Sequence, residues 1–305
     1  MNQISLGGKI NVPQIGLGCM RIDALDAKTL DALVKGALEL GINFFDHADI
    51  YVGSKCESLF GDVIGANPGL RDSMILQTKC AIKPGVSYDF SKDYILWSVD
   101  ESLKRLKTDY IDVYLLHRPD ILMEPDEVAE AFAILEKAGK VKFFGVSNEN
   151  PGQIELLNKY CGGKIIANQL QLSIAHCPIF DQQINVNTMY ETASDRTGDI
   201  LNYCRLNNIT IQAWSPFQYG FFEGVFLGSD KYPELNKVVD GIAAKYGVAN
   251  TAIAVAWISR HPANIQTIVG TTNLKRLGDI AVSCDVRLTR EEWYAIYLSA
   301  GKILP

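Results

Sequence analysis

The stretch "FFDHADIY", residues 44–51, begins as a buried apolar strand and then presents an aspartate, a histidine, a second aspartate and a tyrosine. Phe44 and Phe45 read as core, whereas Asp46 and Tyr51 do not. A strand that is apolar along its length and turns polar at its C-terminal end fits a parallel strand covered on both faces, its end opening into a site. Working outward, seven further short apolar runs share this character: 15–18, 74–79, 110–116, 141–147, 165–169, 210–214 and 267–270, with 43–47 as the eighth. Before the first of them a hairpin is expected to turn at Gly7-Gly8.

Between the runs lie segments of helical period at 28–40, 57–64, 93–106, 126–138 and 151–160. In the third, Ile95, Val99, Leu103 and Leu106 recur at three- and four-residue spacing and form an inward stripe, leaving Asp100, Glu101, Lys104 and Lys107 to water. Asp126 is expected as a helix N-cap, and Gly41 and Gly139 stand where helices end. Strand and helix alternating eight times in 305 residues predict an α/β fold, a closed (β/α)8 TIM barrel with an N-terminal hairpin. Residues 1–305 read as a single domain, with no linker or low-complexity segment to divide them. Two extended loops, 176–196 and 217–232, follow strands and are expected at the C-terminal face, where barrel loops shape a substrate pocket.

The chain is 48% hydrophobic with a formal net charge of -6, so it can bury a large core and has no broad positive field for a nucleic-acid backbone. A small-molecule partner fits better than nucleic acid. The start "MNQISLGGKINVP" lacks the charged and apolar regions of a leader, and no run approaches a spanning helix, so neither membrane association nor export is expected and a cytoplasmic location is. Seven scattered cysteines without a C-x-x-C pair suggest neither disulfides nor a metal site, and most read as small buried hydrophobes. No heptads or exposed apolar stripe set an oligomeric state.

Asp46, Lys79 and His117 end the second, third and fourth strands, so a barrel would bring an acid, an amine and an imidazole to one rim, with the Tyr51 phenol close behind. A free phenol titrates near 10, and a neighbouring ammonium is expected to lower that value. Asp46 would keep Lys79 charged, and a neutral His117 could hydrogen-bond a carbonyl. The set is suited to giving a proton to a carbonyl oxygen, and hydride must come from elsewhere. His47 and Asp49 read as structural, and strand alternation sends Cys80 into the layer between barrel and helices. "GLGCMR" at 16–21 is a lone G-x-G and a poor dinucleotide fingerprint. Phe217, Tyr219, Phe221, Phe222 and Phe226 form either a loop core or an apolar substrate wall.

The sequence resembles the aldo-keto reductase family from about residue 15 to residue 297. The family's Asp, Tyr, Lys and His tetrad is matched by Asp46 and Tyr51 in "DHADIY", Lys79 in "LQTKC" and His117 in "YLLHRPD". "FGVSN" (144–148), "NQLQ" (168–171), "WSPF" (214–217) and "VGTTNLKRLGD" (269–279) follow in the family's order, and "HADIYVGSKCESLFG", "HRPD" and "LTREEW" are most similar to its bacterial YdhF-type branch. The resemblance implies NADPH-dependent reduction of aldehydes or ketones, with Tyr51 as general acid. It implies that Ser147, Asn148 and Gln169 hold the carboxamide, that Trp214 stacks on the nicotinamide, and that Met20 touches cofactor or substrate. Ser215 and Phe217 would meet the pyrophosphate, and Gly270, Thr271, Thr272 and Arg276 the 2'-phosphate end, with Asp279 accompanying Arg276. A guanidinium fork suits a dianionic phosphate, which favours NADPH over NADH. Ile280 departs from the asparagine usual at the adenine-contacting position. With only "GKILP" after the last helix, a wide, permissive site is expected. Two rival readings are a redox-sensing NADPH-binding accessory protein and a Schiff-base aldolase using Lys79.

Overall fold

A computed structural model describes all 305 residues. The chain begins with an antiparallel hairpin, β1 (Gln3–Leu6) and β2 (Ile10–Pro13), turning at Gly7 and Gly8. Eight parallel strands follow and close a barrel in the order β3 (Ile15–Gly18), β4 (Phe44–Asp46), β5 (Ile75–Cys80), β8 (Ile111–Leu116), β9 (Val141–Ser147), β10 (Ile165–Gln171), β11 (Thr210–Trp214) and β12 (Gln266–Val269). All eight coincide with runs read from the sequence, within two residues at each end. A small antiparallel pair, β6 (Ile82–Lys83) and β7 (Ser87–Tyr88), decorates the loop after β5.

The helical layer comprises α1 (Ala27–Glu39), α2 (Lys55–Ala66), α3 (Lys92–Leu106), α4 (Pro125–Lys137), α5 (Pro151–Cys161), α6 (Pro178–Ile184), α7 (Ile200–Leu206), α8 (Pro233–Tyr246), α9 (Asn250–Ser259), α10 (Leu274–Ala281) and α11 (Arg290–Ser299). The stripe Ile95, Val99, Leu103 and Leu106 is buried on α3 as its spacing requires. Asp126 is not the cap of α4. Glu124 takes that position and Pro125 the first helical one, because proline has no N–H to lose there and its φ is already helical. No single helix is long and apolar enough to cross a membrane.

Strand alternation sorts the side chains. Phe44 packs inside the barrel with Val113, Leu115, Ala167 and Ile268, whereas Phe45 points outward to Phe60 of α2, ring centroids 5.1 Å apart. The hairpin closes the bottom: Ile4, Leu6 and Val12 join this interior cluster, and a Cβ on Gly7 would lie 2.4 Å from Ile166 Cβ. That glycine also has φ +57, so space and backbone both exclude a side chain. Above the apolar floor the interior turns polar. Gln77 and Gln212 exchange amide hydrogen bonds of 3.0 Å, Gln212 donates to Gln266 at 2.8 Å, and Gln266 donates to the Pro13 carbonyl at 2.8 Å. A ladder of buried amides thus links the hairpin to the upper barrel, each hydrogen-bonded as burial demands.

The two long loops differ in what they do. Segment 176–196 folds largely onto α6, where Ile179 and Phe180 enter the main core and Asp181 accepts from Tyr297 at 3.0 Å and pairs with Lys302 at 2.7 Å. None of its residues lines the cleft described below, contrary to the sequence expectation, because its apolar side chains are consumed by the core beneath α11. Segment 217–232 does line it.

Candidate active site

The inward parity of each strand delivers one side chain to the C-terminal mouth. Counting by twos, Gly18 leads to Met20, Phe44 to Asp46, Gln77 to Lys79, Leu115 to His117, Gly145 to Ser147, Ala167 to Gln169, Gln212 to Trp214 and Ile268 to Gly270. All but the fully buried Lys79 line a cleft of about 1100 Å³. That exceeds the roughly 300–1,000 Å³ of an ordinary small-molecule pocket, leaving room for a cofactor and a second ligand together.

At one end of the cleft Lys79 is completely buried and uses all three ammonium donors. It gives hydrogen bonds to Asp46 Oδ1 (2.7 Å), the His47 carbonyl (2.7 Å) and the Tyr51 hydroxyl (3.3 Å). Asp46 Oδ1 also accepts from Gln77 at 2.6 Å and Gln169 at 3.1 Å, so the amide ladder ends on the carboxylate that holds the lysine. Tyr51 is fixed by the loop after β4, where Val52, Gly53 and Ser54 all have positive φ. A β-branched residue at φ +50 is an outlier that the surrounding structure must impose. The His117 ring meets the Tyr51 ring edge-on, centroids 6.1 Å apart. Its Nδ1 is sealed without a partner, leaving Nε2 as the nitrogen available to the cleft.

Electrostatics correct one expectation. Burial, then the Asp46 carboxylate, pushes the Tyr51 phenol well above its ordinary pKa instead of lowering it. Asp46, 2.7 Å from the ammonium, offsets the cation in the resting site, where the phenol is neutral, without removing the hydrogen bond that Lys79 gives the phenol oxygen at 3.3 Å. Tyr51 therefore holds its proton throughout the neutral range. Burial draws Lys79 down from its ordinary value while Asp46 opposes that shift. Burial and the Lys79 cation hold His117 well below 6.5, so the imidazole is neutral at working pH and can donate or accept without carrying charge. Activity is accordingly expected to show no acid limb at pH 6.5 from His117. A pH profile of kcat/KM that falls with an apparent pKa near 6.5 would contradict this.

A second chain of contacts lines the middle of the cleft. Trp214 Nε1 donates to Asn148 Oδ1 at 3.3 Å, Asn148 Nδ2 to Ser147 Oγ at 2.7 Å, and Ser147 Oγ to the Gln169 carbonyl at 2.9 Å. Gln169 Nε2 is already engaged by Asp46 and Gln212, which frees Oε1. Asn148 (φ +60) and Ser215 (φ +52) both adopt left-handed backbone here, a local strain concentrated on the cleft wall. Phe222 stacks near Trp214 at 6.3 Å and Phe221 meets it edge-on at 6.1 Å, whereas Phe226 is fully buried and Tyr219 packs on Tyr232. The aromatic cluster thus divides between cleft wall and loop core.

At the far end Gly270, Thr271 and Arg276 line the cleft, near the start of α10, which Asn273 caps. Thr272 does not line it. Asp279 does not pair with Arg276. It binds Lys275 at 2.9 Å, one helical turn away, and borders a shallower pocket that shares Asn250, Thr251 and Arg276 with the cleft. Ile280 is on the buried face of α10 and belongs to the core, which is the physical content of its departure from asparagine. His47 packs on Phe60 at 4.5 Å, Asp49 accepts from Ser98 at 3.0 Å, and Cys80 lies in the outer core, as structural residues.

Beside the cleft, Glu149 is buried with Oε1 lacking a partner, and burial raises its pKa to about 8. A carboxyl whose folded pKa lies above its unfolded value costs stability as pH rises from about 4.5 to 8. Glu149→Gln is expected to gain thermal stability over the natural protein progressively between pH 5 and pH 8. A difference in melting temperature that stays flat across that range would contradict the assignment.

An eight-stranded parallel barrel with its polar cleft at the strand ends is the architecture of a barrel enzyme. The chain belongs to the aldo/keto reductase family, whose model matches residues 14–297. The protein is an oxidoreductase of that family. It is 37% identical over 305 residues to a 6-dehydroglucose reductase of Novosphingobium aromaticivorans, covering 97% of this chain and 94% of that one. It is 31% identical to the oxidoreductase YdhF of Escherichia coli, covering 90% and 89%. The fold matches that of an aldo/keto reductase of Klebsiella pneumoniae solved with NADP and acetate, at TM-score 0.79 and 24% identity over 99% of this chain and 96% of that one.

Proposed function

We propose that this protein is an NADPH-dependent reductase of aldehydes or ketones in which Tyr51 is the proton donor. The reading rests above all on one contact set: Lys79 Nζ lies 2.7 Å from Asp46 and 3.3 Å from the Tyr51 hydroxyl at the mouth of the barrel. NADPH supplies the hydride when bound. The cleft suits it, with Trp214 offering a flat aromatic face, Ser147, Asn148 and Gln169 Oε1 offering amide partners, and Arg276 a guanidinium at the opposite end. Met20, Ser215, Phe217, Gly270 and Thr271 complete the wall.

The chain's own work is positioning and proton delivery. In this reading the phenol of Tyr51 and Nε2 of His117, on rings 6.1 Å apart at the same end of the cleft, both donate to the substrate carbonyl oxygen. Negative charge developing on that oxygen draws the proton from Tyr51, and the ammonium of Lys79 stabilises the phenolate left behind. Asp46 and the amide ladder keep that ammonium in place. A Schiff-base role for Lys79 fits poorly, because its nitrogen is sealed from the cleft and all three donors are engaged. Residues 1–305 act as one domain in this reading, in the cytoplasm. Relatives named 6-dehydroglucose reductase make sugar-derived aldehydes the first substrates to assay.

Arg276→Ala tests the cofactor. It is expected to weaken NADPH by about tenfold to a hundredfold, the range for hydrogen bonds to a charged group, and NADH far less. Equal losses for both nucleotides in a binding titration would remove Arg276 from the 2'-phosphate.

A further inference from the structure

Arg118 follows His117 in the loop after β8 and lines the cleft at its tetrad end. Its guanidinium carbon lies 5.8 Å from the Trp214 ring centroid and 5.6 Å from that of Phe221, and the two rings meet edge-on, so the cation rests beside the corner they form. It makes no ion pair, in contrast to Arg71, Arg105 and Lys79, each of which has a carboxylate at 2.7 Å. The titratable groups that act on it are the phenols of Tyr88 and Tyr51. Of the two carboxylates that line the cleft, Asp46 is consumed by Lys79, and Asp23 makes no ion pair with Arg118. A partly buried guanidinium with five donors and no acceptor is costly unless something outside the chain completes it. The cofactor's phosphates are expected elsewhere, since Arg276 and Gly270 lie at the opposite end of the cleft.

We infer that Arg118 is a substrate-selecting residue that binds an anionic group, a carboxylate or phosphate, carried by the carbonyl compound reduced at Tyr51 and His117. The planar fork can take two oxygens of such a group while Trp214 and Phe221 back the guanidinium from the cleft wall. The inference rests on the reductase reading for the position of the carbonyl, and on the unpaired cation alone for the charge of the substrate. It narrows the substrate class from carbonyl compounds in general to those with an acidic group a few bonds from the carbonyl.

The test compares 4-carboxybenzaldehyde with methyl 4-formylbenzoate, two aldehydes of similar shape that differ in one charge, the ester being the more electrophilic, so that intrinsic reactivity opposes the expected preference. The natural protein with NADPH is expected to favour the acid by roughly tenfold or more in kcat/KM, chiefly through KM, as a charge-assisted bond requires. Arg118→Gln should bring the acid-to-ester ratio near one, and Arg118→Lys, which keeps the charge and loses the fork, should restore part of it. An acid-to-ester ratio near one in the natural protein, or a ratio unchanged by Arg118→Gln, overturns the inference. Calorimetric titration with both compounds, with and without NADP+, provides an arm independent of turnover. If neither aldehyde is reduced, the reductase reading fails for this class. The titration then decides alone: tighter acid binding that Arg118→Gln abolishes supports the site, and equal affinities refute it.

Discussion

Replacing Tyr51 with phenylalanine is expected to lower kcat for aldehyde reduction by roughly 10²–10⁴, the span of a positioned general acid. The fold has no reason to change, because the hydroxyl's hydrogen bond to Lys79 is its one protein contact and the ring stays packed against His117. NADPH affinity should be nearly unaltered, since the phenol faces the carbonyl and not the amide partners of the cleft wall. Steady-state kinetics alongside a cofactor titration separate the two effects. A variant that retains most of its turnover would take Tyr51 out of the proton path, and one that loses cofactor binding in parallel would make its role structural.

Lys79→Met carries the second large effect, and here stability and chemistry fall together. Removing the ammonium leaves Asp46 as a buried carboxylate supported by the Gln77 and Gln169 amides alone. Breaking one partner of a buried ion pair costs roughly 3–5 kcal/mol. The phenolate would also lose the cation that stabilises it, so activity should drop at least as far as in the Tyr51 variant. Adding Asp46→Asn separates the causes. The double variant is expected to recover much of the lost stability, because no uncompensated charge remains, and none of the lost activity. Denaturation midpoints that do not improve would show that the carboxylate is satisfied by its amides, while recovered turnover would show that the ion pair is dispensable.

Much of this arrangement could be read from residue pattern. The eight strands were legible because parallel strands buried on both faces are short apolar runs, and Asp46, Lys79 and His117 stood out because each breaks such a run at its end. The amide ladder was not. Gln77, Gln212 and Gln266 are polar residues within strands, and in an open sheet they would be assigned to a solvated face. The signal that finds them is parity: Gln77 lies two before Lys79 and Gln212 two before Trp214, so both share the inward face once the barrel closes. Arg118 escaped for a different reason. It sits in a loop, where periodicity says nothing about direction, and its meaning comes from the absence of a partner, which a sequence does not display. The 176–196 segment misled because its polar composition hid the few apolar residues, Ile179 and Phe180, that decide where it packs. Asp279 misled because its partner lies one turn back at Lys275, a spacing as available as the one to Arg276.

The central claim is that this barrel moves hydride from NADPH to a carbonyl while Tyr51 supplies the proton. A single-turnover experiment tests it most directly: enzyme in excess, a limiting sugar-derived or aromatic aldehyde, NADPH followed by absorbance and alcohol by chromatography. One NADPH is expected to disappear for each alcohol formed, at a rate that collapses in Tyr51→Phe. Consumption of aldehyde without loss of NADPH, with borohydride trapping the substrate on Lys79, would contradict the account.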